Sequence, residues 1–238
     1  MENATYAALT RQSGLMTELR TVANNIANAS TTGYRAEGVV FAEHVARLGT
    51  DHPSLSMAVA EGRATSWVQG ALSQTGGTYD LAIEGDGFFM VQTPGGERLT
   101  RNGHFTTNEN GDLVTQDGFP VLDAGGAPVF IPQGAGPVSI ASDGTISAGG
   151  QPVGQIGVVM PDTPLSLVRE DGVRFRFDGV PLPAEEARVV QGFLEQSNVN
   201  PIIEVARMIE VQRAYELGQS FLDLDDQRIR TLIRDVTR

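Results

Sequence analysis

The chain has 238 residues with 17 Arg, 29 acidic residues, no Lys and no Cys, and a formal charge of −12. That acidity argues against nucleic acid as a partner, and the lack of Cys excludes a disulfide framework and any thiolate metal site. Of the 28 Gly and 12 Pro, 25 and 11 lie in residues 36–196, where eight Arg face 20 acids, so long helices are confined to the two nearly neutral ends.

Residues 1–35 read as a helix from Asn3, a capping residue, to about residue 30, with Gly33 placed for a left-handed C-terminal cap and Gly14 weakening the middle. Ala8, Gln12, Leu15, Leu19, Val22, Ile26 and Ala29 recur at alternating three- and four-residue steps, a heptad seam with one polar member. The helix end is rich in amides, Asn24, Asn25 and Asn28, which in a chain that packs against copies of itself would form a contact surface. No basic segment followed by an apolar stretch opens the chain, and no run is long enough to span a bilayer. Neither a cleaved signal peptide nor direct membrane insertion is expected.

Residues 36–66 show no sustained period, with His44, His52 and Pro53 interrupting mixed residues. They read as a variable connector that orders against a neighbouring subunit. Residues 67–196 alternate short apolar runs, such as Leu81–Ile83, Phe88–Val91, Val129–Ile131 and Val173–Phe177, with turn dipeptides such as Asn102-Gly103, Asn110-Gly111 and Asp143-Gly144. This is the pattern of an antiparallel β domain.

Residues 197–238 form the second terminal helix, with Asn200 as N-cap, Pro201 in the first helical position and Glu204 in the first turn. Val205, Met208, Gln212, Tyr215, Gln219, Leu222, Asp226, Ile229, Ile233 and Val236 make its seam. The expected fold is therefore α+β: terminal helices forming an α-helical coiled-coil element, with an antiparallel all-β domain inserted between them. If Gly33 and Ser197 lie level, positions paired across the helices sum to about 230. Val22 then meets Met208, Leu15 meets Tyr215, Ala8 meets Leu222, and Gln12 shares a layer with Gln219.

Chemistry finds little foothold. Glu84 and Asp86 flank Gly85 in a turn rich in acids and glycines. Residues 108–112 alternate oxygen-bearing side chains but lack a full Ca²⁺ loop, and His44, His52 and His104 show no ligand spacing. Neither a nucleophile elbow nor a phosphate-cradling loop with Lys is present. No cofactor, metal or catalytic residue is expected. A carbohydrate-active enzyme built on Glu84 and Asp86, or a secreted adhesin, are the readings from other classes.

Five stretches carry a family resemblance: residues 6–14 (YAALTRQSG), 22–35 (VANNIANASTTGYR), 83–89 (IEGDGFF), 99–105 (LTRNGHF), and Ser197-Asn-Val-Asn200 with residues 208–215 (MIEVQRAY). Together these resemble the bacterial flagellar axial proteins of rod and hook, over nearly the whole chain, and the opening is most similar to the proximal-rod branch. The resemblance implies a structural, non-enzymatic subunit of the basal-body rod that supports motility. It would be exported through the flagellar type III apparatus and polymerise in the periplasmic space with copies of itself and with other proximal and distal rod proteins. A distal rod or hook protein of the same family is the nearer alternative. The seam residues and Asn24, Asn25 and Asn28 are then the expected subunit contacts.

Overall fold

A computed structural model describes residues 2–46, 55–162 and 167–236. The protein is α+β, with a helix at each end of the chain and a β-rich region between them. It divides into two compact units. One comprises residues 1–27, 36–66 and 200–238; the other comprises 28–35 and 67–199. Among the described residues, no helix is long and apolar enough to cross a membrane.

The helical unit holds α1 (Glu2–Ala27), β1 (Glu37–Ala46), β2 (Leu55–Thr65) and α2 (Pro201–Val236). Asn200 caps α2 as the sequence leads one to expect, its Oδ1 accepting the N–H groups of Ile202 at 3.1 Å and Ile203 at 3.3 Å. The start of α1 differs. Asn3 lies inside the helix, not before it, and the helix stops at Ala27, well short of Gly33.

The span 36–66 is also corrected. Instead of a connector without structure of its own, β1 and β2 form an antiparallel hairpin, with Glu37 opposite Thr65 and Ala46 opposite Leu55. A register shift at Val40/Phe41 puts residues of one strand out of step with the other, and such a shift breaks the period-2 pattern by which a strand is read. Residues 47–54, with His52 and Pro53, lie outside the described residues. Helix α1 packs on this hairpin. A Cβ at Gly14 would sit 2.8 Å from the Phe41 ring, so the glycine that weakens the helix makes room for the strand. Asn25, buried at the other end of that face, donates from Nδ2 to the Glu37 carbonyl at 2.8 Å and accepts the Glu37 N–H at 3.0 Å.

The β unit is built on a seven-stranded antiparallel sheet. Its path runs β14 (Leu167–Asp171), β15 (Arg174–Phe177), β6 (Gly96–Thr100), β5 (Phe88–Thr93), β13 (Val158–Met160), β16 (Leu182–Pro183), with β9 (Val121–Leu122) also pairing with β5. Strand β5 is buried on both faces. Phe89 and Val91 point into a core with Leu81, Ile83, Phe105, Leu113 and Ile146. Phe88 and Met90 point the other way, into a core with Leu99, Leu122, Val159 and Phe175.

Smaller pairings complete the unit: β3 (Leu72–Gln74) with β18 (Phe193–Glu195), β4 (Leu81–Glu84) with β17 (Arg188–Gln191), β7 (Phe105–Thr107) with β8 (Leu113–Thr115), and a three-stranded sheet of β10 (Val138–Ile140), β11 (Thr145–Ala148) and β12 (Gln151–Gln155). Most of the turn dipeptides behave as their chemistry dictates, with Gly111 and Gly144 at positive φ. Gly103 does not. It has no positive φ, and a Cβ there would fall 1.7 Å from the Leu81 carbonyl oxygen, so close packing is what demands the glycine.

Candidate assembly site

In the helical unit, α1 and α2 run antiparallel and meet along a narrow strip. Glu18, buried, accepts from Arg207 Nε at 2.7 Å, and Gln12 Nε2 donates to the Tyr215 carbonyl at 2.9 Å. A Cβ on Gly218 would lie 2.5 Å from that same Nε2, so Gln12 faces Gly218. This alignment falls within one residue of the expected one, but Gln219 itself is exposed and shares no buried layer with Gln12.

The least exposed line along α2 is Glu204, Met208, Val211, Tyr215, Gly218, Leu222 and Asp225. Met208, Tyr215 and Leu222 lie on this line. The intervening positions are corrected by one residue: Val211 replaces Gln212, Gly218 replaces Gln219, and Asp225 replaces Asp226. At the first two positions the reason lies in chemistry: Gln212 bonds Glu216 on the exposed face while apolar Val211 turns inward, and the small Gly218 lies inward beside exposed Gln219; Asp225 and Asp226 are chemically alike, and the helical phase alone separates them. Val205 and Ile229 stay exposed.

On α1, Val22 and Gln12 are buried and Ala8, Leu15, Leu19 and Ile26 are partly buried. The three asparagines separate. Asn24 is exposed; Asn25 is committed to the hairpin, which leaves it no surface for a neighbouring subunit; and Asn28 lies in the β unit, where its Oδ1 accepts from Thr31 at 3.1 Å.

Among the residues the helices leave uncovered are many large apolar ones. Ile202 (80% exposed), Ile203, Ile209, Leu217 (73%), Phe221, Leu224, Leu232 and Ile233 stand out from α2, and Tyr6 and Leu9 from α1. Beside them, Ala7, Ala8, Leu15, Ala214, Leu217 and Phe221 line a groove of about 510 Å³ between the two helices. Large exposed apolar surface of this kind is a mark of interaction sites.

The β unit is closed by a feature that no periodicity reveals. Glu195, on β18, and Arg35 are each 2% exposed and pair at 2.9 Å, and Arg101 reaches the other carboxylate oxygen at 3.3 Å. The remaining bonds are backbone. Gly70 N–H donates to Glu195 Oε1 at 3.0 Å, Arg35 donates to the Trp67 carbonyl at 2.7 Å, and Arg101 donates to the Gly85 carbonyl at 2.6 Å. Burial pulls the Arg101 guanidinium down to about 10, opposed by the charge of Glu195, so it is still a cation at neutral pH. Burial lowers Arg35 as well.

The same junction holds Gly33. Its N–H donates to the Glu195 carbonyl at 2.7 Å, its φ is +70°, and a Cβ would lie 2.4 Å from Asn102 N. Gly33 is thus a close-approach glycine of the β unit, not the cap of α1. Arg35, Arg101 and Glu195 sit in or beside the Gly-Tyr-Arg, Thr-Arg-Asn and Ser-Asn-Val-Asn stretches, but nothing in those stretches pairs them.

The residues that tempted a chemical reading are occupied by turns. Asn108 Oδ1 accepts the N–H groups of Asn110 and Asp112, and its Nδ2 donates to Asp112. His104 Nδ1 lies 2.6 Å from Asp80, whose other oxygen accepts from Thr75. Among the described residues, no group of three His, Asp or Glu side chains is gathered to hold a metal.

Three family models match the chain. One described as a flagella basal body rod protein covers residues 6–35, one described as the flagellar hook protein FlgE/F/G D1 domain covers residues 82–148, and one described as the flagellar basal body rod FlgEFG protein C-terminal region covers residues 190–235. A flagellar basal-body rod protein FlgF of Caulobacter vibrioides is 46% identical over 230 residues, 94% of this chain and 93% of the relative. One of Mesorhizobium japonicum is 40% identical over 98% of both chains, and a flagellar basal-body rod protein FlgG of Bacillus subtilis is 31% identical, also over 98% of both. With helices at both ends, a β-rich middle and these matches along nearly its full length, the chain belongs to the flagellar basal-body rod protein family of FlgF.

Proposed function

We propose that the chain is a structural subunit of the bacterial flagellar basal-body rod, in its proximal part, and that it performs no catalysis. It polymerises through its terminal helices, which form a coiled-coil element with those of neighbouring copies and of other rod proteins. Export through the flagellar type III apparatus delivers it to the periplasmic space, where the rod forms part of the drive shaft for motility. The observation that carries this reading is the apolar face of α2, with Ile209, Leu217, Phe221 and Leu224 uncovered within the chain.

Contacts between subunits that are not self-complementary, and whose rotation does not close a ring, generate an open helical assembly. The acidic β unit, with its own cores on both faces of the sheet, keeps such an assembly soluble. The test is complementation. A motile host whose FlgF gene is replaced by this chain should swim, and one carrying Leu217→Glu with Leu224→Glu should not, although the variant folds. Unimpaired swimming by the double variant would contradict the reading.

A further inference from the structure

We infer that Gln12 and Gly218 are a register key that admits a single antiparallel alignment of α1 on α2. Gly218 is the one glycine of α2. A Cβ there would lie 2.5 Å from Gln12 Nε2 and 3.1 Å from its Cδ. The far end of a glutamine is ordinarily free to swing aside, but this one is 8% exposed and its Nε2 donates to the Tyr215 carbonyl at 2.9 Å. Only the nitrogen end of the amide can make that bond, which fixes its orientation. The oxygen end is then buried with no hydrogen-bond partner among the described residues.

Each half of this pair is a poor local choice. A glycine inside a helix weakens it relative to alanine, and a buried acceptor without a donor is unfavourable. Neither residue explains the other's presence unless they are matched. Once matched, the two mistakes specify something, because a residue that breaks a local rule can be retained for discriminating between competing arrangements.

The competing arrangements are slips along the strip. A slip of one heptad sets the Gln12 amide against Val211 or Asp225, and a slip of one turn sets it against Ala214 or Leu222. Each has a side chain where the amide must lie. Apolar residues alone would discriminate poorly, since Met208, Tyr215 and Leu222 recur at heptad spacing and would re-form similar contacts after a slip. The key is a property of the helical unit alone and does not depend on the rod reading.

Because the chain has no Cys, the alignment can be read by oxidation of the full-length protein. Leu15→Cys with Ala214→Cys, two groove-lining positions, reports the observed register, and Leu15→Cys with Phe221→Cys reports a one-heptad slip. Each reporter is placed in the parent, in Gln12→Ala, in Gly218→Ala and in the double variant, and melting temperatures are measured alongside. Gly218→Ala should lower the melting temperature, against the stabilisation alanine normally gives a helix, and reduce the matched bridge about fivefold or more, as expected for a coupling between contacting residues. Adding Gln12→Ala should return both towards the parent. The inference is overturned if Gly218→Ala is as stable as the parent with the matched bridge intact, or if the double variant merely sums the singles. Should Gly218→Ala fail to fold, the double variant decides: folded with the matched bridge supports the key, and unfolded refutes it.

Discussion

Arg35 and Glu195, from the two ends of the β unit's sequence, meet at 2.9 Å with each side chain 2% exposed. Arg101 shares the same carboxylate, so one buried anion holds two buried cations. Removing one partner of a buried pair is costly because the other is left uncompensated. Glu195→Ala strands two guanidinium groups and should destabilise the β unit by about 3–5 kcal/mol in urea unfolding. By contrast, Arg230→Ala, which breaks the exposed pair with Asp226, should cost less than about 0.5 kcal/mol. Equal effects of the two substitutions would show that the junction is not what closes the unit.

Asn25 gives a second, separable prediction in the helical unit. Its amide makes two bonds to the backbone of Glu37, so Asn25→Ala removes one hydrogen bond from a buried carbonyl and one from a buried N–H, at a cost of about 2–4 kcal/mol. Amide exchange at Glu37 is the direct reporter. It should accelerate strongly in Asn25→Ala and change little in Asn24→Ala, because Asn24 is exposed.

The glycines of the β unit should fall into two grades. Gly76 has φ +74° and open space around a would-be Cβ, so Gly76→Ala should cost only the left-handed penalty of about 1–2 kcal/mol. Gly103 has ordinary φ, but its Cβ would overlap the Leu81 carbonyl, and Gly103→Ala should exceed about 4 kcal/mol or prevent folding. Thermal melts of the two variants distinguish sterics from conformational strain.

The division into terminal helices and a β-rich middle was legible because it rests on breakers and on helical period, both local properties. The cap at Asn200 was legible for the same reason. The hairpin of residues 37–65 was not, since its strands change register at Val40/Phe41 and Phe41 packs against Gly14 of α1. Along α2, Met208, Tyr215 and Leu222 are among the less exposed positions, Val205, Ile229 and Ile233 are exposed, and between the first three the less exposed residue lies one place earlier than the seam has it, because heptad spacing alone does not say which of two adjacent positions turns inward. Arg35, Arg101 and Glu195 were invisible as a group: a buried ion triad is made by topology, and nothing in the spacing of three charged residues announces it. Asn25, expected as a contact between subunits, bonds the Glu37 backbone of its own chain, a pairing that its place in an amide-rich helix end does not reveal.

Helix α2 outruns its partner. Every residue from Asp226 to Asp235 is exposed, whereas the least exposed positions run from Glu204 to Asp225. A lone helix turn is held by packing more than by its own propensity, so protection should fade along the helix. Hydrogen exchange on the dilute monomer should show slow amides near Val211 and Tyr215 and fast ones beyond Ile229. Uniform protection to the C-terminus would require a contact that the monomer lacks.

Central to the proposed function is that the apolar face of α2 is the surface on which rods are built. A helical reconstruction of basal bodies assembled with this chain measures it most directly, through the area lost at Ile209, Leu217, Phe221 and Leu224 on assembly. These four side chains should be buried against helices of neighbouring subunits. If they remain in contact with solvent in the finished rod, and subunits meet only through their β units, the proposal is wrong.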